Sequence, residues 1–277
     1  LKAGKFLTQM SKRYFRLRII DGVCFVGTSG GSKSCYDSCV VNGKIYVCSL
    51  HRISIFDAET LEYLSYFGSY GTGDGRFSTP VSICSDGTYL YVCDYNNHRI
   101  QKFTLAGQFV SKTGSQGSGD YQFNSPYCIR HHDGKLYIAD YSNNRIKVHS
   151  ASDLAYLDSF SIGMAAVGCW IDTQNQYLIA AGINVIKIYE LSTKNFVRQS
   201  SSLPAGRSPV IVGNYLFRSD SGNHKILKYL YSDFSSAGEY TPGQGSLAGQ
   251  LNTPLHLSLW PERNLILVAN NGSPYYV

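Results

Sequence analysis

The chain has 277 residues, of which only 16% are charged and 43% are hydrophobic. This balance excludes an intrinsically disordered chain, which needs low hydrophobicity and a high charge. The 27 glycines and 22 tyrosines, set against two methionines, favour strands and tight turns over helices. The formal net charge of +6 permits an acidic partner, RNA included, without requiring one.

The first predicted elements are two strands, at residues 14–20 and 23–27, separated by an Asp-Gly pair. Asp-Gly between apolar runs is a strong hairpin signal. We interpret the two strands as the third and fourth strands of a sheet whose first two strands lie within residues 252–277. The two ends of the chain are therefore expected to share one sheet.

The middle of the chain is organised by an internal repeat. The segment DYNNHRI at residues 94–100 aligns without a gap with DYSNNRI at residues 140–146. Tyr46, Tyr91 and Tyr137 mark one position of the second strand of each copy, at spacings of 45 and 46 residues. A period of 40–50 residues with four short strands per copy is typical of propeller blades.

Copies of the repeat begin near residues 36, 78, 124, 164, 203 and 252, and the copy near residue 164 is degenerate. The sequence therefore predicts an all-β chain that forms a single domain over residues 1–277. We expect a six-bladed β-propeller of four-stranded antiparallel blades, closed into a ring that hides the sheet edges. The predicted blades are 36–77, 78–123, 124–163, 164–202, 203–251, and 252–277 completed by 1–35.

The repeat resembles the NHL repeat family. The residues that carry the resemblance are RFSTP at 76–80, LYVCD at 90–94 and NHRIQKF at 97–103, with a further copy of the last motif at 223–226. The resemblance implies six four-stranded blades around a central channel. It also implies that the inter-blade loops and the loops between second and third strands form a face that binds RNA or protein. Flanking domains outside these 277 residues are expected as well.

An acidic residue is followed five positions later by a basic one in three copies. We interpret these pairs as structural, because an Asp–Arg ion pair would tie the loop to both strands by charge-assisted hydrogen bonds. A ring of phosphate contacts on one face is the alternative. The pairs are Asp94/Arg99, Asp140/Arg145 and Asp220/Lys225.

Seven residues in or beside the predicted loops are candidates for the binding face. Tyr127 lies at a position where other copies carry Val81 and Leu255, and such variation at a fixed place suits partner recognition. Aromatic and arginine side chains together can stack on bases and neutralise phosphates. For the two histidines among the candidates, which belong to the repeat consensus, we favour a structural role, and surface recognition is the alternative. The candidates are Arg52, Arg76, His98, Tyr121, Tyr127, Arg207 and His224.

No catalytic motif is recognisable, neither a nucleophile elbow, nor a zinc-protease helix, nor a phosphate-binding loop. The cluster at residues 130–133, Arg-His-His-Asp, is interpreted as a solvated turn. Its adjacent histidines would point to opposite faces of a strand and could not readily chelate one ion. We therefore predict no catalytic residue, no metal and no cofactor.

The eight cysteines form no CxxC pair. Cys48 and Cys93 stand where other copies have Ala139 and Ala269, so the cysteines are interpreted as small buried thiols of a cytoplasmic protein. Four disulfides in a secreted protein are the alternative. No apolar run is long enough to cross a membrane. The predicted function is a non-enzymatic platform for protein or single-stranded RNA, within a larger multidomain protein. The alternative is a secreted propeller enzyme of the amidating-lyase or lactonase type.

Overall fold

The computed structural model describes the backbone of residues 15–20, 23–28, 35–241, 251, 253–263 and 265–270, and the side chains of residues 35–241 and most of 251–269. The described elements are strands and three short 3-10 turns, Tyr95–Asn97, Tyr141–Asn143 and Pro261–Arg263. None of the described helical turns has the length and apolar character needed to span a membrane.

Five four-stranded sheets follow one another along residues 35–240, and each consists of four consecutive antiparallel strands. Blade 1 contains β3 (Cys35–Val41), β4 (Lys44–Ser49), β5 (Arg52–Asp57) and β6 (Tyr63–Phe67); blade 2 contains β7 (Pro80–Ser85), β8 (Tyr89–Asp94), β9 (Arg99–Thr104) and β10 (Phe109–Thr113). Blade 3 contains β11 (Pro126–His132), β12 (Lys135–Asp140), β13 (Arg145–Ser150) and β14 (Tyr156–Ser161). Blade 4 contains β15 (Gly168–Asp172), β16 (Tyr177–Ala181), β17 (Ile186–Glu190) and β18 (Phe196–Gln199); blade 5 contains β19 (Pro209–Val212), β20 (Tyr215–Asp220), β21 (Lys225–Leu230) and β22 (Ser236–Tyr240).

The two ends of the chain share a further four-stranded sheet, which we call the mixed sheet. It contains β1 (Phe15–Ile20), β2 (Val23–Thr28), β23 (Pro254–Trp260) and β24 (Leu265–Asn270), in the order β1-β2-β24-β23. Strand β2 pairs with β24 in parallel.

The mixed sheet differs in two ways from the prediction. Its N-terminal strands are reversed in position, because β2 rather than β1 lies beside β24. Its pairing is also not purely antiparallel. A hairpin can join a sheet through either of its strands, and hydrophobic pattern does not separate the two arrangements. The protein is thus a β-propeller with five antiparallel blades, where six had been expected, beside this sheet of mixed pairing.

The first strands of the blades surround the centre of the molecule. Strand β7 contacts β3 and β11, and β15 contacts β11 and β19. Strand β23 of the mixed sheet contacts both β19 and β3. The hydrophobic core lies between neighbouring sheets, where, for example, Ile53, Phe77 and Phe103 form one buried cluster between blades 1 and 2. Because both faces of a blade are covered, middle strands such as β8 are buried along nearly their whole length.

The first strands begin with a β-bulge in three blades and in the mixed sheet. The pairing register shifts at Val81 in β7, at Tyr127 in β11, between Cys35 and Ser38 in β3, and between Pro254 and Leu257 in β23. A bulge leaves one residue unpaired and redirects its side chain. The bulges therefore redirect side chains at the end of the molecule where the central strands begin.

Candidate functional site

Four tyrosines and one arginine gather at the bulged end of the central strands. We call this set, Tyr36, Tyr95, Tyr127, Tyr141 and Arg207, the channel mouth. The ring of Tyr127 lies 5.7 Å from that of Tyr95 in a T-shaped contact and 5.6 Å from that of Tyr141. Tyr36 is close enough for its phenol to influence the pKa of Tyr127. The four rings are partly buried, so each presents some surface to solvent.

The repeat explains why two of these tyrosines occupy equivalent places. Tyr95 and Tyr141 are the first residues of the 3-10 turns that follow β8 and β12. Each turn ends at a residue with left-handed backbone geometry, His98 with φ 53° and Asn144 with φ 55°. Histidine and asparagine are among the non-glycine residues that tolerate this region best. The same turn in adjacent blades thus brings both phenols to the ring of Tyr127.

Arg207 reaches the channel mouth from the connection between blades 4 and 5. Its backbone N–H donates to the Ser219 carbonyl at 2.9 Å, and its Nη1 donates to Tyr127 Oη. Gly206 permits this close approach, because a Cβ there would lie 2.6 Å from Arg218 Nε. Burial raises the pKa of Tyr127, while the Arg207 guanidinium acts in the opposite direction. Tyr127 is therefore a neutral phenol at physiological pH and can accept from Arg207.

A buried polar cluster continues below the channel mouth. The His256 ring stacks on Tyr127 at 5.7 Å with an interplanar angle of 22°. Burial lowers the pKa of His256 to about 4, although the nearby Asp37 carboxylate opposes this shift. Asp37 Oδ2 accepts from Ser82 Oγ at 2.6 Å and from Arg130 Nη1 at 3.1 Å. Asp37, Ser82 and His256 are at most 2% exposed, so the cluster forms a buried base under the ring of Tyr127.

Arg130 contradicts the interpretation of residues 130–133 as a solvated turn. It is only 8% exposed and forms an ion pair with Asp37. The strand β11 continues to His132, so Arg130 lies inside the strand and its side chain points toward the centre, where Asp37 holds it. Only His131 and the residues after it are partly or fully exposed.

Of the seven predicted binding residues, Tyr127 and Arg207 come together at the channel mouth. Arg52 lies elsewhere, with its guanidinium 4.6 Å from the ring centre of Tyr66 on the outermost strand of blade 1. Arg76 is exposed in the connection between blades 1 and 2. Tyr121 is 57% exposed and packs at the periphery against Tyr156 of the outermost strand β14.

The remaining two candidates, His98 and His224, form equivalent contacts between neighbouring sheets. His98 Nδ1 accepts a hydrogen bond from the backbone N–H of Ser125 at 3.0 Å. His224 Nδ1 accepts from the backbone N–H of Thr253, also at 3.0 Å. Both donors, Ser125 and Thr253, directly precede the first strand of the next sheet, so each histidine links two consecutive sheets.

The predicted ion pairs form in two copies of the repeat. Arg99 Nε donates to Asp94 Oδ2 at 2.9 Å, and the corresponding bond from Arg145 to Asp140 measures 2.8 Å. Arg99 also donates to the carbonyls of Thr72, Gly73 and Arg76, which ties the inter-blade connection to the blade.

The third predicted pair, Asp220 with Lys225, does not form. Lys225 Nζ donates to Glu239 Oε2 at 2.6 Å instead, and Asp220 accepts from Asn223. Glu239 lies opposite Leu227 on the neighbouring strand, so it shares a face with Lys225. In blade 2 the position that corresponds to Glu239 is occupied by Lys112, which lies opposite Gln101. That position therefore offers no second carboxylate to Arg99.

Sequence reasoning missed four residues of this region. Tyr95 and Tyr141 carried a usable signal, because an Asp-Tyr pair recurs after the second strand of two copies. His256 follows Leu255, which had been recognised as equivalent to Tyr127. Tyr36 also carried a signal, because it precedes Val81 by 45 residues and Val81 precedes Tyr127 by 46, the spacings that relate Tyr46, Tyr91 and Tyr137.

A family model of the NHL repeat matches residues 77–103, which span the first three strands of blade 2. This segment is an NHL repeat. The match confirms the family expected from the sequence, and the propeller fold is consistent with it. No curated protein matches the chain well enough to count as a relative. An NHL-repeat propeller is consistent with a binding or scaffold role, and it is compatible with a protein that is not an enzyme.

Groups with metal-binding or redox potential were also located within the described residues. No three His, Cys, Asp or Glu side chains of that part of the chain are grouped to hold a metal ion. Cys39, Cys48, Cys84, Cys93, Cys128 and Cys169 are free thiols. Cys128 Sγ lies 3.0 Å from Cys169 Sγ between blades 3 and 4.

Acid is expected to destabilise the propeller through two buried histidines. Burial lowers the pKa of both His149 and His256 to about 4, whereas the ordinary value is 6.5. Between pH 6.5 and 4 the unfolded chain binds protons at these sites and the native protein does not, so stability falls as the pH falls. Each group contributes a loss of up to about 3 kcal/mol of unfolding free energy by pH 4.

Urea denaturation at several pH values measures this loss of unfolding free energy. His256→Gln should make the dependence of the unfolding free energy on pH shallower. An unchanged dependence on pH would contradict this assignment.

Proposed function

We propose that this chain is a protein-recognition module that binds its partner at the channel mouth. The observation that carries the proposal is the gathering of Tyr36, Tyr95, Tyr127 and Tyr141 around Arg207. Tyrosine and arginine are enriched among the residues that dominate binding energy at protein interfaces. A tyrosine also provides a large, rigid contact surface with a polar tip, at a low cost in conformational entropy.

The loops beside the channel mouth support a protein ligand by their composition. The connections at residues 68–78 and 114–125, and the turns at 95–98 and 141–144, consist mainly of Gly, Ser, Asn, Tyr and Gln. Tyr, Ser, Gly and Asn are the residues that antibody binding loops use for adaptable contacts. The charged residues there are few and of both signs: Asp74, Asp120 and Arg76.

The distribution of basic residues favours protein over single-stranded RNA. Six of the 25 Lys and Arg residues lie within residues 1–18, which contain no Asp or Glu, and the other 19 equal the 19 acidic residues in number. Arg99 and Arg145, which could have formed a ring of phosphate contacts, are engaged by Asp94 and Asp140. A site for a single strand needs a basic groove that follows the backbone. The channel mouth offers one guanidinium.

We also propose that the mixed sheet acts as the sixth blade and closes the ring. Contacts of β23 with both β19 and β3 support this role. A closed ring would hold the tyrosines of separate blades in fixed relation, and such preorganisation favours binding. We further propose that the module works without catalysis, in the cytoplasm, as part of a larger protein, rather than as a secreted lyase or lactonase. The free thiols support the cytoplasmic assignment.

Alanine at Tyr127 should weaken partner binding strongly. Truncation of a buried aromatic anchor costs about 2 kcal/mol or more, which is about a 30-fold loss of affinity. Tyr121→Ala is the matched control, because that exposed tyrosine lies at the periphery. The measurement is affinity capture by wild type and both variants, with proteins and RNA in the eluates identified separately.

We expect the wild type to capture a partner protein. The Tyr121→Ala variant should retain this partner fully, and the Tyr127→Ala variant should lose it. An RNA ligand would contradict the proposal. RNA would be recognised by a steep fall of affinity with salt, because each phosphate contact releases a counterion and contributes about −0.7 to the slope of log K against log salt. Equal retention by all three proteins would also contradict it.

A further inference from the structure

We propose that Arg207 binds a carboxylate of the partner, so that the ligand of the channel mouth is a peptide segment with an Asp or Glu side chain or a free C-terminus. The inference rests on the proposed function and specifies the chemistry of its partner. It follows from an excess of hydrogen-bond donors over acceptors at and below the mouth.

Arg207 is a half-buried cation without an acidic partner in the described part of the chain. None of the ion pairs there involves it. Its one side-chain hydrogen bond in that part goes to a neutral phenol, Tyr127 Oη. Residues 242–250, which precede β23 in sequence, contain no Asp or Glu. A guanidinium has five donors, so most of its capacity is available to a ligand.

The donors below Arg207 also lack acceptors. Within the described part of the chain, Arg130 Nη2 has no hydrogen-bond partner, and neither has either ring nitrogen of His256, which as a neutral imidazole offers one donor and one acceptor. His256 is 2% exposed and Arg130 is 8% exposed. Asp37 cannot supply the missing acceptor, because its two oxygens already accept four hydrogen bonds, from Ser38 N, Ile83 N, Ser82 Oγ and Arg130 Nη1. An unpaired buried donor is costly, and an acceptor supplied by a ligand would remove that cost. The Asp37 carboxylate is already compensated by Arg130, so the guanidinium of Arg207 is the cation left for an anion at the mouth.

The shape of the mouth favours a single carboxylate over a phosphodiester chain. One guanidinium stands among four phenols, and the fork of arginine matches a carboxylate in bidentate geometry. The tyrosine rings offer apolar sides to the residues that flank the carboxylate and hydroxyl groups to their backbone. A polyanion would need further cations in a row. Arg52, another predicted binding residue, is engaged with Tyr66 on the outermost strand of blade 1.

The test is selection of binding peptides with two phage-displayed random 12-residue libraries, one with a free C-terminus and one in which the C-terminus is fused to the coat protein. We expect the peptides that bind to share a carboxylate at a fixed position. If binding peptides from both libraries share an internal Asp or Glu, the ligand group is a side-chain carboxylate. If binding peptides are enriched from the library with a free C-terminus alone, the ligand group is the terminal carboxylate.

A synthetic peptide from the selection then provides the decisive measurement. Its affinity should fall at least about tenfold with Arg207→Gln and equally when its carboxylate is replaced by an amide. The two changes together should cost little more than either alone, because they remove one interaction. Arg52→Gln is the matched control and should leave the affinity unchanged.

Two failures are distinguishable. Peptides that need Tyr127 but show no acidic preference and bind Arg207→Gln normally would overturn the carboxylate site and leave the protein-binding function intact. If no peptide depends on Tyr127, and single-stranded RNA binds instead, the proposed function itself is wrong. Thermal unfolding of Arg207→Gln must match that of wild type, so that a lost affinity reports the site and not the fold.

Discussion

Replacing Arg99 with Ala should lower the free energy of unfolding by about 3–5 kcal/mol, because it leaves a buried carboxylate without its cation. Asp94 is fully buried and Arg99 is 5% exposed. The same substitution removes the donors for the carbonyls of Thr72, Gly73 and Arg76. The effect is therefore one of architecture, and it should appear in urea denaturation of the isolated protein with no ligand present.

Lys225→Ala is the control for this prediction, since it removes a basic residue from the corresponding position of blade 5. Its partner Glu239 is exposed, and exposed ion pairs contribute about 0–1 kcal/mol. Arg145→Ala should fall between the two, because the Arg145 side chain is 17% exposed. If Arg99→Ala proved as harmless as Lys225→Ala and instead abolished binding, the arginines would be ligand contacts.

The sequence was sufficient to predict those structural features that recur in several copies of the repeat. The spacing of Tyr46, Tyr91 and Tyr137 predicted the blade period, and the pairs Asp94/Arg99 and Asp140/Arg145 form as the motif suggested. Each such feature is local, because the two partners lie within one loop of one blade. A local contact depends on a few neighbouring residues, and repetition in several copies makes it recognisable.

The channel mouth could be predicted only in part, because it depends on contacts between blades. Tyr127 and Arg207 are 80 residues apart in sequence, and nothing in their local motifs shows that they touch. Arg130 lies in a polar segment that resembles a turn, but its partner Asp37 lies 93 residues earlier in the chain. The bulges that redirect Tyr36 and Tyr127 add one residue to a strand without changing its hydrophobic pattern.

Removal of residues 1–28 should unfold or aggregate the protein. It eliminates β1 and β2 and exposes the edge of β24, whose pairing with β2 runs from Val23 opposite Ile266 to Val26 opposite Ala269. Unpaired backbone groups on a flat edge strand promote association with other chains. A loss of about 5 kcal/mol would lower the melting temperature by about 10–20 °C in a chain of this length.

Complementation provides the control for this truncation. A synthetic peptide of residues 15–28 should bind the truncated protein and restore its melting temperature, because it contains the missing strands and no other part of the deleted segment. A peptide of the same composition in scrambled order should not, since the parallel register with β24 would be lost. A truncated protein that stays monomeric and melts like the full chain would show that β1 and β2 are dispensable. In that case β23 and β24 alone would have to support the contacts with β19 and β3 that hold Tyr127, Arg207 and His256 in place.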